Sequence, residues 1–341
     1  MSDINGADAK QPADLISDWY LPSDNALDGW VYPKGIGIKD HRPLWNIANE
    51  LLSQCKEKTK DGYHEFTATS QGRRYRGHMI EGSPSQDSEG PVFALRRLPD
   101  TIPSLEGLGL PDGIRSVLMD PWLSRGGLVL ICGETGQGKS TTCAATVRDR
   151  MQKFNAFCLT VEDPVEMPLA GQHGFGRCIQ TEVRSGNFAE AMKGAMRCYP
   201  TVSGSMMYVG ETRDSETAAE VLKIAMNGHL VLTTIHAGDI VSALQRFAGL
   251  AMARTNESDV LQNLASVLRL CMHQQLEHLP PVSGQPPKKR LNLSFLMSRT
   301  YTTPVGQKIK DGKFTNLGSE LDQQRRILEK KGMAGLRELW S

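Results

Sequence analysis

The stretch Gly133-Glu134-Thr135-Gly136-Gln137-Gly138-Lys139-Ser140 matches the pattern G-x-x-x-x-G-K-[ST] at every position. Its chemistry follows from its residue types. Glycines let consecutive backbone amides turn toward a bound anion, and a helix starting near Lys139 adds the positive end of its dipole. Lys139 would neutralise the β- and γ-phosphates of a nucleotide, and the Ser140 hydroxyl, followed by Thr141, would ligate Mg²⁺ beside them. The same letters can arise by chance in a flexible loop. Here the apolar run Leu128-Val129-Leu130-Ile131-Cys132 precedes the motif as a strand and a helical stretch follows it, which is the context the chemistry needs. ATP and Mg²⁺ are the expected ligands.

Hydrolysis needs in addition a carboxylate that orients or activates water. Two strand candidates end in acids. One runs through Thr160-Val161 into Glu162-Asp163-Pro164-Val165-Glu166; the other, Met206-Met207-Tyr208-Val209, runs into Gly210-Glu211-Thr212-Arg213-Asp214. The carboxyl ends of strands are where α/β sheets bind ligands. Glu211 stands where a phosphate-loop NTPase keeps its Walker B acid, so Glu211 and Glu166 are the candidates for the metal and the water. Asp214, just ahead of a helical stretch, reads as a helix cap. His229 and His236 bracket the strand Leu230–Thr234; spacing alone leaves open whether they sense a γ-phosphate or are satisfied core residues.

These residues require a scaffold of alternating strands and helices, and the chain beyond Leu110 supplies one. Strand candidates Leu128–Cys132, Ala156–Val161, Met206–Val209 and Leu230–Thr234 alternate with helical stretches from Lys139, near Phe188–Cys198 and near Glu216–Met226. That alternation implies a largely parallel sheet covered on both faces. Ahead of it, a helix over Asn46–Lys56 (Ile47, Leu51, Leu52, Cys55) and strands over Tyr63–Thr69 and Arg73–Ile80 suggest a small α+β domain. The expected organisation is a flexible polar N-terminus (1–25), an α+β domain (26–98), a proline-marked linker (99–112) and an α/β ATPase domain (113–341). Ser83–Gly90 and Pro280–Arg290 read as surface loops.

The 341 residues carry 39 basic and 38 acidic side chains, so no global field draws nucleic acid or an anionic membrane. The longest mostly apolar run, Gly127–Cys132, is too short to span a bilayer, and the N-terminus lacks a signal-peptide core. Seven scattered cysteines with no Cys-x-x-Cys pair suit a reducing compartment and a cytoplasmic location.

Taken together, the motifs resemble the type II/type IV secretion ATPase superfamily, most closely its pilus-retraction branch and the related conjugation and type IVB secretion ATPases. Thr160–Glu166 is similar to the family's acidic box, Val209–Asp214 to its Walker B region and Gly228–His236 to its histidine box. Phe93–Pro99 and Ile102–Pro111 resemble its interdomain arginine segment and linker. The resemblance implies a RecA-like core with a PAS-like N-terminal domain, assembled as a homo-hexamer. It implies that Lys139 and Ser140 hold phosphate and Mg²⁺, that Glu211 activates water with help from Glu166, and that His229 and His236 couple the γ-phosphate to domain motion. Arg76, Arg96 and Arg197 match arginines that approach nucleotide phosphates, in some states across a subunit boundary. The expected partners are inner-membrane components of a pilus or secretion apparatus, with the ATPase peripheral on the cytoplasmic side. Ser205 and Thr181 depart from the family pattern, and the four-cysteine motif of the assembly branch is missing.

Two other functions compete. A nucleic-acid translocase or helicase shares the RecA-like core, but the compact basic clusters are only Arg73–Arg76 and Lys288–Arg290, and aromatics make up 6% of residues. No specific nucleic-acid binding is expected. A regulator that binds nucleotide without turnover would not need both Glu211 and Glu166.

Overall fold

A computed structural model describes residues 16–33, 35–60, 62–81, 90–183, 187–200, 204–278 and 289–338. The loops expected over Ser83–Gly90 and Pro280–Arg290 fall largely outside the described residues, as do the first fifteen positions. The chain divides into two compact units, Met1–Thr101 with Pro164–Pro168, and Ile102–Asp163 with Leu169–Ser341.

In the first unit, strands β1 (Asp18–Pro22), β2 (Trp30–Tyr32), β3 (Ile36–Gly37), β4 (Glu65–Ser70), β5 (Arg73–Ile80) and β6 (Val92–Arg97) form an antiparallel sheet in the order β3-β2-β1-β6-β5-β4. Helix α1 (Arg42–Lys58) buries Leu44, Ile47, Ala48, Leu51, Leu52 and Cys55, the stripe that 3.6-residue periodicity sets on one face. That stripe shares a core with Trp19, Leu21, Tyr75, Phe93 and Leu95. Within the stretch expected to be loosely ordered, Asp18–Pro22 instead form a strand: Trp19 and Leu21 are buried, and β1 pairs with β2 on one side and β6 on the other.

The second unit is built on an eight-stranded sheet. Its strands are β7 (Gly127–Cys132), β8 (Phe157–Glu162), β9 (Gly171–His173), β10 (Gly176–Glu182), β11 (Ser205–Val209), β12 (Leu230–Ile235), β13 (Leu268–His278) and β14 (Lys289–Met297), ordered β14-β13-β7-β12-β11-β8-β10-β9. The six from β13 to β10 run parallel; β14 and β9 are antiparallel edges. Every residue of β7 and β12 is buried, as both-face coverage demands. Lys289 and Arg290, expected in a loop, instead open β14.

Helix α2 (Asp112–Leu118) leads into the sheet, and α3 (Lys139–Phe154) packs on β7, β8, β11 and β12. Helices α4 (Phe188–Met196), α5 (Ser215–Met226), α6 (Ile240–Met252) and α7 (Glu257–Val267) share one core with Leu128, Leu130, Val161, Met207, Val209 and Val231. Helices α8 (Pro304–Lys310) and α9 (Gly318–Glu338) close the chain. Among the described residues no helix is long and apolar enough to cross a membrane.

Candidate nucleotide site

Six parallel strands end on one sheet edge, and the glycine loop rises from the end of β7. Gly133 leaves the strand at φ +150°, where a Cβ would lie 2.4 Å from the Gln274 carbonyl oxygen, so only glycine fits. Gly138 takes a left-handed conformation at the N-cap of α3, turning the chain into the helix. Lys139 is buried, and its Nζ donates to the carbonyl oxygens of Gly133 (2.8 Å) and Glu134 (2.7 Å). The loop is thus curled around its own ammonium, in front of the first turn of α3. This cradle fits a polyphosphate, because the amides, dipole and ammonium all favour negative charge. Ser140 is half-buried in that first turn.

Glu211 follows β11, and only β12 separates β11 from β7. At the end of β12, His236 Nε2 lies 3.3 Å from Glu211 Oε1, while Glu211 Oε2 accepts from Arg213 Nε at 2.9 Å. The two strand ends are locked together. Thr234 Oγ1 donates to the Gly210 carbonyl (2.7 Å), Thr212 N donates to the Thr234 carbonyl (2.8 Å), and the Thr212 and Thr233 hydroxyls are 2.9 Å apart. Arg246 Nη1 holds the His236 carbonyl at 2.9 Å. Burial, followed by the Lys139 ammonium, pushes the His236 ring below its usual range despite the opposing pull of Glu211. A neutral ring can donate Nε2–H to Glu211 and keep Nδ1 as an acceptor.

Glu162, at the end of β8 on the same edge, is buried and accepts from Gln180 Nε2 at 2.8 Å. Asp214 caps α5 by accepting from Thr217 N (2.8 Å) and Oγ1 (2.7 Å). Among the described residues no three His, Cys, Asp or Glu side chains cluster to hold a metal. Mg²⁺ does not require such a cluster, since it keeps waters and bridges phosphates with one or two protein oxygens. The Ser140 hydroxyl, beside the cradle, is an oxygen of the right kind.

Three of the remaining candidates belong to the first unit. Glu166 sits in the short segment Pro164–Pro168 that belongs to the first unit, where Arg76 Nη1 donates to its Oε1 at 2.9 Å and Arg76 Nη2 to Glu65 at 3.0 Å. Arg96, also in the first unit, is 77% exposed and donates to Asp18 at 2.9 Å. His229 precedes β12 and so occupies the sheet edge opposite the loop. Seven steps of about 3.3 Å each separate it from His236, roughly 23 Å. Its ring stacks on Tyr199 at 4.5 Å, its Nδ1 meets the Ser205 hydroxyl at 2.5 Å, and burial lowers its pKa. Exposed Arg197, at the C-terminal end of α4, lies near that far edge too, because Tyr199 close after it stacks on His229 and donates to the Met206 carbonyl. His229 and Arg197 thus lie at the edge away from the loop of their own chain.

Sequence reasoning missed Gln274, which has no motif to mark it. Its Nε2 donates to the Gln137 carbonyl (2.6 Å), and its Oε1 accepts from Thr142 Oγ1 (2.8 Å).

With this geometry the chain can be set beside known proteins. The family model for type II/IV secretion system proteins matches residues 84–318. The uncharacterized protein YggR of Escherichia coli K12 is 38% identical over 239 residues, 69% of this chain and 67% of YggR. The type IV pilus retraction ATPase PilT of Pseudomonas aeruginosa is 30% identical over 272 residues, 76% of this chain and 74% of PilT. For the type IV pilus ATPase PilU of the same species the match is 33% over 197 residues and spans only 48% of PilU. The crystal structure of the pilus retraction motor PilT with bound ADP superposes with a TM-score of 0.70 at 26% identity, covering 90% of this chain and 86% of that one. The DotB ATPase of Legionella pneumophila, at 22% identity and TM-score 0.62, shares the fold. The second unit is a RecA-like core, and nothing in these likenesses favours the translocase reading.

Proposed function

We propose that this chain, which belongs to the type II/IV secretion system protein family, is an ATP-hydrolysing motor subunit of a pilus or secretion apparatus. The observation that carries the reading is the single sheet edge that gathers the Lys139 cradle, His236 and Glu211. Lys139 and the amides of Gly136–Ser140 take the polyphosphate, releasing the ammonium from the loop carbonyls. Ser140 and, through water, Glu211 would hold Mg²⁺, which when bound neutralises charge on the phosphates. Glu211 orients water and draws off its proton. Neutral His236, between cradle and carboxylate, transmits the presence of a terminal phosphate to the strand end it closes.

Work on a pilus or secretion machine is carried over from the relatives, PilT and PilU being pilus ATPases by name. Assembly as a ring of six, and docking on inner-membrane components, follow from the same kinship. In such a ring exposed Arg96 and Arg197, and His229, would meet a neighbour's nucleotide rather than their own. Arg76 and Glu166 would first have to part. The test of the central claim is Lys139→Ala, which should abolish nucleotide binding or turnover. Undiminished ATPase activity would remove it.

A further inference from the structure

Strand β13 outruns the sheet. Its pairing with β7 ends at His273 opposite Cys132, and Gln274–His278 continue past the edge with only β14 beside them. That overhang meets the glycine loop through two glutamines that exchange bonds. Gln274 Nε2 donates to the Gln137 carbonyl at 2.6 Å, and Gln137 Oε1 accepts from the Leu276 amide at 2.6 Å. The other end of the Gln274 amide accepts from the buried Thr142 Oγ1 at 2.8 Å, at the end of the first turn of α3. Gln274 is 2% exposed, and its Nε2 would lie 3.0 Å from a Cβ at Gly138. It therefore holds the loop and the helix behind it at a fixed separation.

We propose that Gln274 is the positioning residue of the phosphate loop, setting the pitch of Gln137–Lys139 so that their amides face the diphosphate. This rests on the nucleotide-site reading above. No other side chain substitutes: glutamate keeps the acceptor and loses the donor, methionine has the length and neither, and asparagine is a carbon short. Gln137, expected to bind nucleotide, spends its side chain on the clasp and offers the ligand only its backbone.

Because the clasp prepays the ordering of the loop, its loss raises the cost of binding more than it slows the bound complex. Two buried hydrogen bonds correspond to roughly tenfold in affinity. The experiment measures binding of fluorescent ADP, KM and kcat for ATP, and nucleotide-free thermal unfolding for Gln274→Met, Gln274→Glu, Thr142→Val and, as control, the exposed Gln275→Ala. Expected are a roughly tenfold weaker ADP affinity for Gln274→Met, a larger loss for Gln274→Glu, and a few-fold loss for Thr142→Val. KM should rise while kcat stays within a few-fold, and Gln275→Ala should match wild type. Should Gln274→Met fail to fold, Thr142→Val and Gln274→Glu carry the same comparison. Affinity within twofold of wild type in the folded Gln274 variants overturns the assignment while leaving the nucleotide site standing. A wild-type chain that binds no ADP overturns the site itself.

Discussion

Glu211→Gln separates binding from chemistry most cleanly. The amide keeps the volume of the carboxylate and can still accept from Arg213, but it carries no charge and cannot take a proton from water. General-base loss costs about 10²–10⁴ in rate, and 10² corresponds to about 2.7 kcal/mol of barrier. The effect on folding is far smaller. The ion pair broken is with Arg213, whose side chain is 54% exposed, and pairs of that kind contribute about 1 kcal/mol or less. His236 loses the one neighbour that pulls its pKa upward, so it stays neutral in the variant. ATP affinity should hold or rise, since a negative charge is removed near the phosphates. Phosphate release and fluorescent-nucleotide titration on the same preparation provide the assay. Turnover within threefold of wild type would refute the role of Glu211 and move it to Glu162 or Glu166. Loss of binding together with turnover would refute the division of labour between Lys139 and Glu211.

Two further outcomes follow from the same geometry. Burial holds His229, His236 and His273 below the usual histidine range, so the unfolded chain binds protons that the folded chain refuses. Stability should be complete above about pH 6.5 and decline as pH falls through it, seen as a lower urea midpoint at pH 5.5 than at 7.5; an unchanged or higher midpoint at pH 5.5 would contradict this. Gly133→Ala combines φ +150° with a Cβ 2.4 Å from the Gln274 carbonyl, so it should cost about 1–3 kcal/mol and displace the loop from its clasp. A variant that melts and binds ADP like wild type would show that the close approach is relaxed at no cost.

The strands of the second unit were legible where burial on both faces leaves an unbroken apolar run, as in Leu128–Cys132 and Leu230–Thr234. Strand β1 was not, because Trp19, Tyr20 and Leu21 run together in a stretch too short to show a period. The loop lysine and its hydroxyl neighbour are fixed by local spacing, and so they could be read. Gln274 is 137 positions from the carbonyl it holds, and an uncharged amide in a strand carries no periodic mark. The Arg76–Glu166 pair, 90 positions apart, is hidden for the same reason. Resemblance assigned both His229 and His236 to the phosphate. Two residues bracketing one strand must lie at opposite edges, and the parallel pairing of β12 with β7 shows that His236 shares the edge of the loop.

Strand order explains why His236 rather than its partner is placed to matter. In sequence β12 comes after β7, β8, β10 and β11, yet in space it stands between β7 and β11. Neighbouring strands are about 4.8 Å apart, so the insertion sets the phosphate loop and Glu211 roughly 10 Å from each other. With one strand between them, the gap matches a phosphoryl group and an attacking water in line. His236, the residue after that middle strand, stands between the strand that carries the cradle and the strand that carries the carboxylate. At that position His236 is in contact range of Glu211 and within the field of Lys139, and Thr234 and Thr212 brace the strand ends that carry it. On the reading proposed above, a response of His236 to the nucleotide would act on the end of β12, and beyond the other end of that strand His229 stacks on Tyr199. One buried strand thus joins the phosphate edge to the opposite edge of the sheet.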